Sequence, residues 1–269
     1  MHYSVSLAAL AAIALLFAFS TATAADAKDT RCFEMRVYYA AEGKLDALNT
    51  RFRDHTLKLF EKHGITNIGY WMPIENTERK LIYVLAYPTR EARETSWKAF
   101  MADPDWKAAY AASEKDGKLV TKIEQIFFHA TDYTPVIAAS KGAEPRTFEL
   151  RTYTCTPNNL VNINARFRDH TIKLFEKHGM TNFAYWNLDE KQPEWKNKDA
   201  KQPLPSNTLL YILAHKSKDA ADASFKAFRA DPDWVAAKEA SEKAAGGSLT
   251  EKDGVKSVFM VPTDYSPSK

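Results

Sequence analysis

The sequence contains few glycines, and this scarcity excludes several kinds of ligand site. Only nine of the 269 residues are glycine, and they are scattered along the chain. Loops that hold phosphates or dinucleotides need closely spaced glycines, which let backbone amides approach the ligand. The patterns GxGxxG and GxxxxGK(S/T) are absent, as are the GxSxG, HExxH and CxxC patterns of hydrolases, metalloproteases and thiol sites. Any ligand is therefore expected to be held by side chains, and we predict no cofactor.

A large charge excess and a long apolar run are also missing. The chain has 37 basic and 34 acidic residues without a basic block, so a nucleic-acid partner is not expected. The longest apolar run, residues 7–19, is shorter than the roughly 20 residues of a membrane-spanning helix. Together with Ala22-Thr23-Ala24 it predicts a signal peptide over residues 1–24, cleaved after Ala24, and a periplasmic or secreted protein. Because no Lys or Arg precedes the run, an uncleaved anchor is the alternative.

An internal repeat occupies most of the remaining chain. Residues 33–71 and 148–186 are identical at 23 of 39 positions, and residues 81–106 recur as residues 209–234. The repeat predicts two domains, residues 31–135 and 146–267, joined by a linker over residues 136–145. The second copy carries 13 extra residues within the segment 187–208, a polar, proline-containing loop with Trp195 at its centre. Such a loop is usually solvated, but it could also cover a pocket or contact a partner.

The periodicity of each copy predicts the element order β-α-β-β-α-β. Phe33, Met35 and Val37 alternate with polar residues as in a strand, and apolar residues from Leu45 to His63 recur at helical spacing. Asp103-Pro104 predicts an N-cap and the start of a new helix. The fold class is therefore α+β, with two ferredoxin-like βαββαβ units in tandem. One such unit leaves a sheet face bare, so we expect the two units to form a barrel-like pseudo-dimer within one chain.

The two cysteines, Cys32 and Cys155, lie at positions that are not equivalent in the repeat. Cys32 corresponds to Thr147 in the second copy, which excludes a symmetric pair of disulfides. A single bridge between the two copies and two free thiols both remain open, because sequence does not give the geometry that pairing requires.

Several phrases of the sequence resemble the NIPSNAP domain. They are the strand of residues 148–153, the helix of residues 166–179 and the phrase Ala-Asp-Pro-Asp-Trp at residues 230–234, all of which recur in the first copy. The resemblance covers residues 31–135 and 146–267, and it implies a member of the dimeric α/β-barrel superfamily. Bacterial NIPSNAP proteins mostly have no assigned activity. The mitochondrial roles of eukaryotic relatives in vesicle traffic and mitophagy are not expected of a chain with an export signal.

Histidines on the first helix of each copy are candidates for proton transfer. At 100° per residue, His63 lies on the apolar stripe of its helix and His55 lies on the edge of that stripe. The equivalent residues of the second copy are His178 and His170. Histidine exchanges protons near neutral pH, so His55 and His170 could act as catalytic residues. His63 and His178 precede a glycine, a position typical of a histidine that stabilises a helix C-terminus.

Arginines and tyrosines could form the binding site for a small anion. Glu34, Arg36 and Tyr38 share one face of the first strand. Arg36 could stabilise an oxyanion, and Arg51 lies one helical turn before His55, so an anionic ligand could be clamped between strand and helix. The second copy offers Arg151, Tyr153 and Arg166. A salt bridge between Glu34 and Arg36 at the interface of the two sheets is the structural alternative, because buried charges must be paired.

Two functions follow from these candidates. The first is a small-molecule binding or protein-interaction module that takes a small apolar or anionic ligand. The second is a cofactor-independent enzyme of the monooxygenase or isomerase type, which would use a helix histidine and a strand arginine. Two histidines eight residues apart do not make a three-ligand zinc site, so no metal is predicted. Further oligomerisation of the pseudo-dimer stays open.

Overall fold

The computed structural model describes residues 28–134, 136–139, 146–193 and 204–269. The predicted signal peptide, most of the predicted linker and Trp195 lie outside the described residues.

Within the described ranges, the first half contains four strands and four α-helices. Its strands are β1 (Cys32–Ala40), β2 (Thr66–Pro73), β3 (Lys80–Tyr87) and β4 (Val120–Ala130). Its helices are α1 (Leu45–Arg51), α2 (Leu57–Lys62), α3 (Arg90–Ala102) and α4 (Pro104–Ser113). The Asp103 side chain accepts a hydrogen bond from the Asp105 amide at 2.8 Å, so the predicted N-cap of α4 is confirmed.

The second half repeats this order. Its strands are β5 (Thr147–Cys155), β6 (Thr181–Leu188), β7 (Thr208–His215) and β8 (Thr250–Pro262). Its helices are α5 (Leu160–Arg166), α6 (Ile172–Lys177), α7 (Lys218–Ala230) and α8 (Pro232–Ala244). The predicted α+β class and its two βαββαβ units are confirmed.

The eight strands form one closed barrel in the order β1-β3-β2-β8-β5-β7-β6-β4. Each half contributes four antiparallel strands, and the halves join where β2 pairs with β8 and where β4 pairs with β6. Each junction has three paired residues, exemplified by Met72 opposite Val261 and His129 opposite Asn187. A closed barrel leaves no free strand edge, which is how the bare faces of the two units are covered.

Alternation along the strands separates an apolar barrel interior from the faces that contact the helices. Phe33, Met35 and Val37 point into the barrel together with Trp71 of the first half and Trp186 of the second. The alternate residues face the helices, and there each half has its own apolar core of buried aromatic and aliphatic side chains. The barrel interior is thus shared by the two halves, whereas the helix-facing layers are separate.

The predicted first helix is interrupted by a π-helical turn, Phe52–Thr56, between α1 and α2. In this turn the Leu57 amide donates to the Phe52 carbonyl, five residues back, and the Thr56 hydroxyl donates to the Arg51 carbonyl at 3.1 Å. The same five-residue sequence, Phe-Arg-Asp-His-Thr, forms a π turn in the second half at Phe167–Thr171. The prediction of one continuous helix was wrong here, because a π turn accommodates an extra residue and changes the angular phase between α1 and α2.

Both cysteines are buried free thiols in the described structure, so the alternative of a bridge between them is not realised. Burial raises the pKa of the Cys32 and Cys155 thiols to about 11. None of the helices in the described ranges is long and apolar enough to cross a membrane.

Candidate functional site

A cavity of about 400 Å³ lies between the outer face of the first-half strands and the helices that cover it. Arg36 and Tyr38 reach it from β1, and Arg51 reaches it from the end of α1. The structure therefore brings together the three residues predicted to hold an anion in the first copy. Both arginines are buried, with 8% of the Arg36 surface and 4% of the Arg51 surface exposed.

Arg36 is held by a buried carboxylate. Its Nη1 lies 2.6 Å from Oε1 of Glu34, and Arg93 of α3 contacts the same carboxylate through Nε at 3.0 Å. The Tyr87 hydroxyl also donates to Glu34, at 2.9 Å. Burial alone would raise the pKa of Glu34, but the charges and hydrogen bonds of Arg36 and Arg93 outweigh burial and lower it. The acid therefore stays ionised, and it fixes the guanidinium of Arg36 at the cavity wall.

The salt bridge between Glu34 and Arg36 was predicted, but its predicted location was wrong. It lies on the outer face of the sheet, against the helices, and not at an interface inside the barrel. The physical reason is alternation, because Phe33, Met35 and Val37 take the inward positions and leave the polar residues of β1 facing outward.

Arg51 enters the cavity from the last turn of α1, directly before the π turn. Its Nη1 lies 3.2 Å from both the Ser113 hydroxyl and a carboxylate oxygen of Glu114. Its Nε has no hydrogen-bond partner, and neither does Nε of Arg36, although both atoms are buried. Two buried N–H donors of guanidinium groups are thus unsatisfied in the walls of one cavity.

The rest of the cavity wall is mainly aromatic. The Arg36 guanidinium lies 4.5 Å from the centre of the Trp97 ring, and the Arg51 guanidinium lies 5.5 Å from that of Trp106. Phe100 contacts both tryptophans, with ring centres 5.5 and 4.5 Å away. Such walls favour an apolar or planar body over a hydrated ion.

The mouth of this cavity is formed by exposed apolar side chains. Met101 of α3, Tyr110 of α4 and Ile123 of β4 line it and are exposed to solvent. Lys122 also lines the mouth, where its ammonium group lies 2.6 Å from the Glu124 carboxylate. The cavity therefore has cationic donors in its interior and mainly apolar side chains at its opening.

The candidate histidines lie elsewhere. His55 and His170 are exposed on the π turns, and neither lines the cavity of its own half. His63 lies 2.6 Å from the Asp103 carboxylate, and His178 lies 2.7 Å from that of Asp231, so each joins the end of one helix to the start of another. The structure thus does not bring His55 together with Arg36, and its catalytic role stays a prediction.

The second half contains an equivalent cavity of about 390 Å³. It is lined by Arg151 and Tyr153, as predicted, but Arg166 is not among its lining residues. The Arg166 guanidinium lies over the Trp234 ring, 5.1 Å from its centre. Glu149 is again ionised, and here it contacts Arg151, His215 and Ser257. Burial would raise the pKa of Glu149, but these contacts lower it.

The segment 187–208 contacts the barrel at both of its described ends. The side chain of Gln192 makes two hydrogen bonds to the backbone of Phe127. Its Nε2 donates to the Phe127 carbonyl at 2.7 Å, and its Oε1 accepts from the Phe127 N–H at 3.0 Å. Leu204 packs against the barrel core. Whether Trp195 covers a pocket stays a prediction, since it lies outside the described residues.

Within the described part of the chain, no three His, Cys, Asp or Glu side chains lie close enough together to hold a metal ion. Sequence reasoning missed Trp97 and Arg93 as parts of the site, and it assigned Trp106 to the core alone. A signal for Trp97 was present, since Trp97, Phe100 and Met101 lie three and four residues apart and so share one face of a helix.

Comparisons with known proteins agree with this architecture. The NIPSNAP family model matches residues 33–135. Two solved structures, each described as a "putative monooxygenase", share the fold over 87% of this chain. The protein from Lactobacillus acidophilus aligns over 94% of its length with a TM-score of 0.55 and 12% identity, and the protein from Fusobacterium nucleatum over 92% with a TM-score of 0.53 and 9% identity.

A NIPSNAP family protein of unknown function from Agrobacterium tumefaciens covers 42% of this chain and aligns over 99% of its own length, with 18% identity and a TM-score of 0.37. No curated protein matches the chain. At these identities the solved structures show the fold alone. The chain thus carries a NIPSNAP domain at residues 33–135, within a closed barrel whose fold is similar to that of the two solved structures from Lactobacillus acidophilus and Fusobacterium nucleatum.

Proposed function

We propose that the chain is a small-molecule binding protein whose first-half cavity takes an organic anion with an aromatic or otherwise apolar body. One observation carries the proposal: the buried Nε atoms of Arg36 and Arg51 have no partner, and both arginines line the same aromatic-walled cavity. A buried donor without an acceptor costs roughly 1–3 kcal/mol, and more when the group is charged. A carboxylate or similar anion between the two arginines would remove that cost once the two guanidinium groups turn their Nε donors toward the cavity.

The ion pairs that the two arginines already make within the protein limit the charge of the ligand that fits the cavity. One nitrogen of each arginine is already bound by a carboxylate, Glu34 for Arg36 and Glu114 for Arg51. The cavity therefore lacks the strong excess of positive charge that a phosphate ester or a dianion would need. A singly charged group suits the two free donors, and the rings of Trp97 and Trp106 suit a planar apolar body.

The enzyme alternative receives less support from the geometry. It required a helix histidine beside the strand arginine, and the residues that line the first cavity include no histidine, cysteine or serine among those described. The word monooxygenase belongs to the two structural neighbours, whose likeness at 12% and 9% identity concerns the fold. We therefore place binding ahead of catalysis for this cavity.

We also propose that residues 146–267 form a second NIPSNAP-like domain and that the protein is exported after cleavage behind Ala24. The repeated sequence and the repeated element order support the first proposal. The apolar run and the Ala22-Thr23-Ala24 site support the second. Amino-terminal sequencing of the protein recovered from its native compartment tests export. A mature start at Ala25 is expected, and an intact start at Met1 would contradict cleavage.

Ligand binding can be tested with 2-naphthoate as the probe and 5-fluorotryptophan as the reporter. Trp97 and Trp106 line the first cavity, and Trp234 lines the second, so ¹⁹F resonances assigned by Trp→Phe substitution separate the two sites. We expect 2-naphthoate to shift the Trp97 and Trp106 resonances in a saturable manner. No shift of either resonance at millimolar probe would overturn the proposal.

A matched pair of variants assigns the binding to the arginine donors. Arg51→Lys keeps the charge but removes the Nε donor, so we expect affinity reported by Trp97 to fall about tenfold. Arg166→Lys makes the same change at the equivalent residue, which does not line the second cavity, and it should leave the affinity at Trp97 unchanged. Equal losses in both variants would contradict a direct contact between Arg51 and the ligand.

A further inference from the structure

The second-half cavity has the same position in its half as the first, but each nitrogen of its interior arginine, Arg151, has a partner within the protein. In Arg151, Nε donates to the Tyr211 hydroxyl at 2.8 Å, Nη1 contacts Glu149, and Nη2 donates to the Tyr153 hydroxyl at 3.3 Å. Every nitrogen of this guanidinium therefore has a partner within the protein. In the first half, by contrast, Nε of Arg36 has none.

The second interior arginine is also lost to this cavity. Arg166 is the counterpart of Arg51, and its guanidinium likewise lies over a tryptophan ring, that of Trp234, but Arg166 does not line the second cavity. The interior surface is formed instead by Phe225, Phe228 and Trp234. The interior of the second cavity thus offers an apolar surface, and each nitrogen of its interior arginine, Arg151, already has a partner.

The mouth of the second cavity carries the charge that its interior lacks. Arg229 and Lys238 line the mouth at the positions that Met101 and Tyr110 occupy in the first half. Arg229 makes no ion pair within the described ranges, and Lys238 makes only a partly exposed pair with Glu242 at 3.3 Å. Glu239 is the one acid among the lining residues, so two cations face one carboxylate there.

Exposed ion pairs are weak, so the pair between Lys238 and Glu242 does not prevent Lys238 from turning toward a ligand. Both cations also lie on neighbouring helices, Arg229 in the last turn of α7 and Lys238 in the middle of α8. They can therefore approach one anionic group from two sides of the opening.

We infer that the second cavity is a separate site for an amphiphilic organic anion, which it binds in the reverse orientation. The apolar end of the ligand enters among Phe225, Phe228 and Trp234, and the anionic group stays at the mouth between Arg229 and Lys238. The proposed function has the anionic group pointing inward in the first cavity, and the contrast in orientation rests on that proposal. This inference concerns a second site and does not require the first cavity to be occupied.

The orientation can be read directly with 6-bromo-2-naphthoate, which carries its bromine and its carboxylate at opposite ends. Crystals of the full mature chain grown with this probe should show anomalous bromine density among Phe225 and Trp234 in the second cavity. In the first cavity the bromine should lie at the mouth, beside Met101 and Tyr110. Bromine at the mouth of the second cavity would overturn the inference.

A solution measurement keeps the inference independent of crystallisation. Arg229→Met with Lys238→Tyr gives the second mouth the residues of the first, and the Trp234 ¹⁹F resonance should then report an affinity for 2-naphthoate that is weaker by about tenfold or more. Lys226→Met with Lys243→Tyr is the matched control. It removes two exposed cations from the same helices without touching the cavity lining, and it should have no effect.

The outcomes separate this inference from the proposed function. Shifts at Trp97 and Trp106 without any shift at Trp234 would overturn the second site and leave the first intact. Binding at Trp234 that both double variants reduce equally, or that neither reduces, would overturn the role of Arg229 and Lys238. Absence of shifts at all three tryptophans would overturn both proposals.

Discussion

Each half buries an ionised glutamate against its sheet, and the two halves satisfy that charge differently. Glu34 contacts two arginines, Arg36 and Arg93, whereas Glu149 contacts one arginine together with His215 and Ser257. The sequence correctly paired Glu34 with Arg36, since the two residues share a strand face. It could not show Arg93, which is distant in sequence and reaches Glu34 only through the packing of α3 on the sheet.

Loss of the negative charge of Glu34 should lower the stability of the fold. Glu34→Gln keeps the shape of the side chain but leaves the buried guanidinium of Arg36 without a counter-ion and Arg93 with Glu94 alone, and we expect the free energy of unfolding to fall by about 3 kcal/mol or more. Glu149→Gln is the internal control and should cost less, because only one arginine loses its partner there. Urea unfolding followed by circular dichroism measures both changes. An equal loss in the two variants would contradict the role assigned to Arg93.

At the scale of elements, periodicity predicted the strands and most helix boundaries. Strand β1 follows the alternation of Phe33, Met35 and Val37, and α4 begins at the predicted proline. The π turn was missed because a helical phase of 100° per residue assumes an unbroken α-helix, and Phe52–Thr56 carries no proline or glycine that would signal a change. The position of Arg51 in the cavity was predicted, whereas the exposure of His55 was not.

The contribution of the π turn to ligand binding can be tested by deleting one residue. Removal of Asp54, which is exposed, converts the turn to regular α-helix and rotates Arg51 by about 100° relative to α2. We expect 2-naphthoate affinity at Trp97 to fall at least tenfold, since one of its two donors leaves the cavity. Removal of Asp169, the matched change in the second half, should preserve that affinity. Retained binding after removal of Asp54 would show that Arg51 is not needed.

Asp103 and Asp231, which cap the starts of α4 and α8, should make the stability of the fold sensitive to acid. Hydrogen bonds from Lys62 and His63 lower the pKa of Asp103, and those from Lys177 and His178 lower the pKa of Asp231. Because both acids are more easily protonated in the unfolded chain, their contribution to stability is present above the ordinary aspartate pKa of about 4 and is lost as the pH falls below it.

Replacement of these two acids should flatten the pH dependence of stability. Asp103→Asn with Asp231→Asn retains side chains that cap helices but removes the titrating groups. We expect its Tm to change less than that of the wild type between pH 6 and pH 3, as measured by calorimetry. Asp105→Asn with Asp233→Asn alters exposed carboxylates of the same helix starts and serves as the control. Parallel Tm curves for the two double variants would contradict this role.

At the scale of the whole molecule, the barrel interior couples the two halves. Met35 and Leu150 belong to one apolar cluster although they come from different copies of the repeat. The repeat predicted two domains, and the structure gives each copy its own helix-facing core but only half of the barrel core. The sequence could predict the barrel, because each unit alone would leave one face of its sheet bare. It could not predict that β2 pairs with β8 and β4 with β6, since these short junctions have no sequence pattern of their own.

Unfolding should therefore be a single transition. Leu150→Ala removes a buried side chain of the second half, and we expect it to lower the free energy of unfolding by about 2–5 kcal/mol. The ¹⁹F signals of Trp97 in the first half and Trp234 in the second should then disappear at the same, lower urea concentration. Separate midpoints for the two tryptophans would show that the halves unfold independently. Val161→Ala, on an exposed residue, is the control and should leave the midpoint unchanged.

Closure of one barrel by two copies within a single chain also removes a constraint of symmetry. In a barrel built from two identical subunits, every substitution appears in both cavities at once, so a change that suits one ligand is imposed on the other. Here the residue at the mouth can be Met101 in one half and Arg229 in the other, while the two halves still share one interior. Each cavity can therefore acquire its own ligand specificity, while both halves depend on the same barrel core for their stability.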